Sequence, residues 1–121
     1  MKTDFSKVGI EDLLNLFVQL SIEQGEAIYL ANTSGFNRLG DTLYEIINEI
    51  KRRPDDRGQS MLKLFGHPNT QVRFNAATAV SGLFTNEARR AIQSIADSKS
   101  DLIASDARMY LRTLDERKQQ S

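Results

Sequence analysis

A chain of 121 residues with 16 basic and 16 acidic side chains carries no formal net charge. It has the size of one domain and lacks the basic excess of a dedicated nucleic-acid binder. It has no cysteine, which excludes disulfides, thiolate chemistry and cysteine-ligated zinc.

The opening MKTDFSKVG lacks the apolar core of a signal peptide, and no stretch approaches the ~18–20 apolar residues that cross a bilayer. A cytoplasmic protein without membrane contact is expected. Charge is unevenly spread. Residues 1–50 hold eight acids and three bases, residues 51–121 eight acids and thirteen bases. Such polarity either steers a charged partner or reflects chance segregation of solvated side chains.

Period-2 alternation is absent and helical periodicity is nearly continuous, so an all-α fold is expected. The spacing of Leu13, Leu16, Phe17, Leu20, Ala27, Ile28 and Leu30 predicts a helix over 10–31, with a kink at Gln24-Gly25. After a turn over 32–35, Leu39, Leu43, Ile46, Ile47 and Ile50 line one face of a helix over 36–53. Lys51, Arg52 and Arg53 suit its negative end, and Pro54 stops it. A short helix over 57–65 follows, ended by Gly66. Asn69 or Thr70 caps the next, reaching residue 84. A fifth starts after Thr85-Asn86 and ends near Ser98, and a sixth runs over 100–117. A polar tail, 118–121, closes the chain.

Sliding the chain by 30 residues places Leu62, Phe65 and Val72 on Ile92, Ile95 and Leu102. One more residue of offset places Ala76, Val80 and Leu83 on Ala107, Leu111 and Leu114. Each segment reads as helix, polar turn, helix, with alanines that let neighbouring axes approach. Three antiparallel helix pairs stacking on one another are expected.

The stretch HPNTQVRFNAATAV resembles the HEAT repeat at Pro68, Asn69, Val72, Arg73, Ala76 and Ala77. The last repeat departs from the pattern, with Ile103 at the arginine position and Asp106 at the first alanine. Through LFVQLSIEQGEAI, FNRL, HPNTQVRFNAAT, NEARRAI and DARMYLRTLD the chain is similar to a family of small bacterial proteins of unknown function. The resemblance implies a short right-handed α-solenoid as a single domain over 1–121. Some small bacterial HEAT-like proteins are similar to immunity proteins, which bind and neutralise a toxin delivered by a neighbouring cell.

No cluster of catalytic groups emerges. His67 is the only histidine, and it lacks a partner for metal binding or acid–base work. DDRGQS lacks the oxygen spacing of a calcium loop. No phosphate-binding glycine motif or nucleophile elbow is present. Adjacent carboxylates on a helix diverge too far to share a proton. An enzyme, a cofactor, a metal and a small-molecule substrate are all unexpected.

In a HEAT-like solenoid the second helix of each pair lines the binding face. The expected partner-binding residues are Arg38, Asp41, Thr42, Glu45, Asn48 and Glu49, then Arg73 and Asn75, then Arg108 and Arg112. Arg73 carries a second reading as part of a structural ladder along the turns. The acidic group on the second helix suits a basic toxin domain, such as a nuclease of contact-dependent inhibition type. The alternatives are a helical scaffold or regulatory subunit, and nucleic-acid binding through Lys51, Arg52, Arg53, Arg89 and Arg90.

Overall fold

A computed structural model describes residues 3–99 and 101–120, and these form five α-helices, two 3-10 helices and no strand. The α-helices are α1 (Ile10–Tyr29), α2 (Thr33–Arg52), α3 (Thr70–Ala79), α4 (Thr85–Ala96) and α5 (Asp101–Gln120). The 3-10 helices are Phe5–Lys7 and Gln59–Gly66. The chain gathers into two compact units, Met1–Leu64 and Phe65–Ser121.

In the N-terminal unit α2 packs back along α1. Leu13, Leu14, Phe17 and Ala27 of α1, and Leu43, Ile46 and Ile50 of α2, are buried with Phe5, Met61 and Leu64. Each fully buried Leu, Ile or Phe contributes about 2 kcal/mol. The helix α1 runs unbroken through the expected kink. Gln24 and Gly25 are buried there, and Gln24 Nε2 donates to the Phe36 carbonyl at 3.4 Å. A Cβ at Gly40 would lie 3.2 Å from that nitrogen, so glycine permits the close approach.

The helix α2 starts at Thr33, earlier than expected, because Asn32 caps it: its Oδ1 accepts the Gly35 N–H at 3.0 Å. A Cβ on Gly35 would stand 2.4 Å from Asn32 Nδ2, so the cap requires glycine. Past α2, Asp56 Oδ2 accepts from Gly58 N, Ser60 N and Ser60 Oγ, while Arg57 and Gly58 take positive φ. The helix that follows is 3-10 rather than α. Met61 and Leu64, three apart, are its buried residues, matching its three-residue turn.

The C-terminal unit is built on smaller side chains. Ala77 of α3, Ala88, Ile92, Ile95 and Ala96 of α4, and Ile103, Ala107 and Leu111 of α5 form one buried cluster. The helix α3 stops at Ala79, well short of residue 84, and both Leu83 and Phe84 donate back to the Val80 carbonyl. The helix α5 continues to Gln120, so residues 118–120 of the expected tail are helical; Ser121 and Ser100 lie outside the described residues.

The repeat register also needs correction. Leu102, aligned with the buried Val72, is 45% exposed, and Ile103 is buried in its place. The offset is therefore 31 already at Val72, where it pairs Val72, Ala76 and Val80 with Ile103, Ala107 and Leu111, all buried.

Candidate functional site

The HPN turn is held by its own side chains. Asn69 N–H donates to His67 Nδ1 at 3.0 Å, and Asn69 Oδ1 accepts from Val72 N at 3.1 Å, capping α3. Arg73 Nη1 donates to the carbonyls of His67 (2.8 Å) and Pro68 (3.2 Å), and Nη2 to Thr70 Oγ1 (3.2 Å). Arg73 thus closes the turn before its own helix. Asn75 Oδ1 accepts from Gln71 Nε2 at 2.9 Å and is half-buried. Arg108 Nη1 donates to the Ala96 carbonyl at the end of α4, at 3.0 Å. Ser81 Oγ and the Tyr110 hydroxyl, 2.7 Å apart, join the turn after α3 to α5. Arg89 pairs with Asp115 at 3.0 Å. Of the expected site residues in this unit, Arg112 is exposed, while Arg73, Asn75 and Arg108 hold local structure.

In the N-terminal unit Glu49, expected on the accessible face, is only 5% exposed. Its carboxylate accepts from Arg53 Nε at 2.9 Å and from Arg52. Hydrogen bonds from Arg53, then Arg52, hold its carboxyl below the ordinary glutamate value. Arg53 also donates through Nη2 to the carbonyls of Phe5 (3.1 Å) and Val8 (2.6 Å), so the Glu49–Arg53 pair fastens the N-terminal 3-10 helix to α2. Glu49 is a structural anchor, not a docking residue.

The other α2 residues remain accessible. Arg38, Asp41 and Asn48 are exposed, Thr42 and Glu45 half-buried. Asn37, Asp41, Tyr44 and Asn48 recur at three- and four-residue spacing and make one outward stripe. Tyr44, 66% exposed at its centre, was not anticipated, although its position three after Asp41 and four before Asn48 marks the polar face.

Two concavities flank this stripe. One, of about 290 Å³, lies between the N-terminal 3-10 helix and α2, lined by Asp4, Ser6, Glu45, Asn48, Glu49 and Arg52 among others. The larger, about 500 Å³, lies at the α1–α2 corner and includes Glu23, Glu26, Leu30, Arg38, Leu39 and Thr42. The sequence pointed to Arg38 and Thr42 but not to Glu23, Glu26 or Leu30. Among the described residues no group of three or more His, Cys, Asp or Glu is placed to hold a metal ion. No described helix is long and apolar enough to cross a membrane.

Residues 11–115 match the family model described as a domain of unknown function, DUF2019. The chain belongs to the DUF2019 family. A crystal structure of the protein RPA1889 from Rhodopseudomonas palustris CGA009 is similar at 36% identity over 95% of each chain, with a TM-score of 0.90. No curated protein matches the chain.

Proposed function

We propose that the protein is a HEAT-like, non-enzymatic protein-binding module. In its most specific form it is an immunity protein that binds a basic toxin domain in the cytoplasm and occludes its active site. The observation that carries this reading is the outward stripe of α2, where exposed Tyr44 stands between Asp41 and Asn48 with Glu45 beside it. Tyrosine is enriched among the residues that anchor protein interfaces, and carboxylates around one favour a cationic partner. Residues 10–50 contain seven acids and one base, Arg38, which supports the same sign of field.

The charge asymmetry is smaller when counted by compact unit. Divided at the compact units, the chain holds ten acids and eight bases before residue 65, and six acids and eight bases after it. The polarity is thus weaker between units than between sequence halves, because the basic end of α2 belongs to the N-terminal unit. Steering comes from the α1–α2 surface itself.

The test is recovery of partners from the lysate of the source organism at low salt with tagged protein, repeated with Asp41→Lys/Glu45→Lys. A small basic polypeptide whose toxicity disappears on binding, and which the charge-reversed variant fails to retain, supports the reading. Retention unaffected by the reversal removes the α2 stripe from the site. A scaffold or regulatory subunit is the second reading. It draws on Leu102 and Met109, both exposed and seven residues apart on one face of α5, and it predicts copurification with a large housekeeping assembly.

A further inference from the structure

Local rules of chain stability are broken together at the corner where α1 gives way to α2. Ala31 takes φ 54, a left-handed conformation that favours glycine. The last turn of α1 has no basic residue and contains Glu26, with Glu23 one turn earlier, so carboxylates stand at the negative end of the helix dipole. Tyr29 and Leu30 follow at 69% and 77% exposure. Each feature costs folding stability, and Glu23, Glu26 and Leu30 line the larger groove, with Ala31 between Leu30 and Asn32 of that lining. Such coincidence is characteristic of surfaces held for binding.

We propose that this groove seats a basic amphipathic helix of a protein partner. A lysine or arginine of that helix faces Glu23 and Glu26, and an aliphatic side chain rests on Ala27, Leu30 and Leu39, all of which line the groove. Arg38, from α2, takes an acceptor on the same segment and fixes its direction. A helix fits better than an extended chain because the α2 N-terminus here is already capped by Asn32. A helix satisfies its own backbone and needs only side-chain partners from the groove. The paired carboxylates disfavour phosphate-bearing ligands. The proposal rests on the reading of the chain as a protein-binding module, and not on the partner being a toxin.

The experiment is a titration of the full-length, nitrogen-15-labelled protein with an amphipathic leucine–lysine helical peptide, followed by amide chemical shifts. Matched leucine–glutamate and lysine-only peptides serve as comparisons. The expected result is saturable shifts concentrated over residues 23–42. Affinity falls by about tenfold or more in Glu23→Lys/Glu26→Lys and in Leu30→Ser. It stays within about twofold in Asp55→Lys, a charge reversal at an exposed acid away from the groove. Equal binding of the lysine-only peptide, shifts spread over other acidic surface, or indifference to Leu30→Ser would overturn the proposal. A positive titration stands even if no toxin is ever recovered, and a failed one leaves the α2 stripe to be tested with the recovered partner.

Discussion

The two units place their charged side chains in different service. In the C-terminal unit Arg73 closes the HPN turn, Arg108 caps α4 and Arg89 pairs with Asp115. The polar surface expected to bind a partner there is largely engaged with the chain itself. In the N-terminal unit one pair, Glu49 and Arg53, does comparable work by tying Phe5 and Val8 to α2. Asp41, Tyr44 and Asn48 are left facing outward. A charged residue on a helix is therefore a docking candidate only once the turns and helix ends near it are satisfied. On that criterion the N-terminal unit keeps its candidates other than Glu49, and the C-terminal unit loses most of its own.

The sharpest way to break this comparison is to remove a fastening arginine. Arg53→Ala strips one partner from a buried carboxylate and two from backbone carbonyls, and is expected to destabilise the protein by about 3 kcal/mol. Arg52→Ala, whose side chain is 70% exposed, is expected to cost less than about 1 kcal/mol. Urea unfolding of the two variants separates them, and equal losses would dissolve the distinction. The next effect is smaller. Arg73→Ala removes the donor to His67 and Pro68 carbonyls that lie near solvent, and about 1–2 kcal/mol is expected. Loss of the Asn69 cap, as Asn69→Ala, is expected at about 1 kcal/mol.

These anchors also show where the sequence was legible and where it was not. The helices α1, α2, α4 and α5 were readable because each carries its apolar residues at helical spacing over more than two turns. The early end of α3 was hidden, since Val80 and Leu83 continue that spacing beyond the last helical residue. The spacing of Glu49, Arg52 and Arg53 was open to inspection as an i, i+3, i+4 cluster. Its burial was not, because it depends on Phe5 and Val8, more than forty residues away in the chain. In the same way the sequence leaves Arg73 ambiguous, and its contacts with its own turn favour the ladder side of that ambiguity.

Acid provides a subtler probe of the same anchor. Glu49 is held below the ordinary glutamate value of 4.5 by bonds from Arg53 and Arg52. Its contribution is fully present above about pH 4.5 and is lost as pH falls through its depressed value. Wild-type stability, measured by urea unfolding between about pH 5 and pH 2, is expected to fall more steeply than that of Glu49→Gln. Parallel curves would place the acid-sensitive carboxylates elsewhere.

The smallest effect on stability is expected where the largest effect on binding is proposed. Tyr44 is 66% exposed, so Tyr44→Ala should change unfolding free energy by no more than about 0.5 kcal/mol. An interface anchor truncated at the same position typically loses about 2 kcal/mol of affinity, roughly thirtyfold. Calorimetry with the recovered partner, beside urea unfolding of the same variant, measures both. A folding loss as large as that of Arg53→Ala would make Tyr44 another fastening residue, and the stripe would lose its anchor. An unchanged affinity with unchanged stability would leave the α1–α2 corner, with Leu30 and its carboxylates, as the remaining candidate in this unit. Only the combination of intact folding and weakened binding distinguishes a side chain held outward for a partner from one that merely failed to find a place inside.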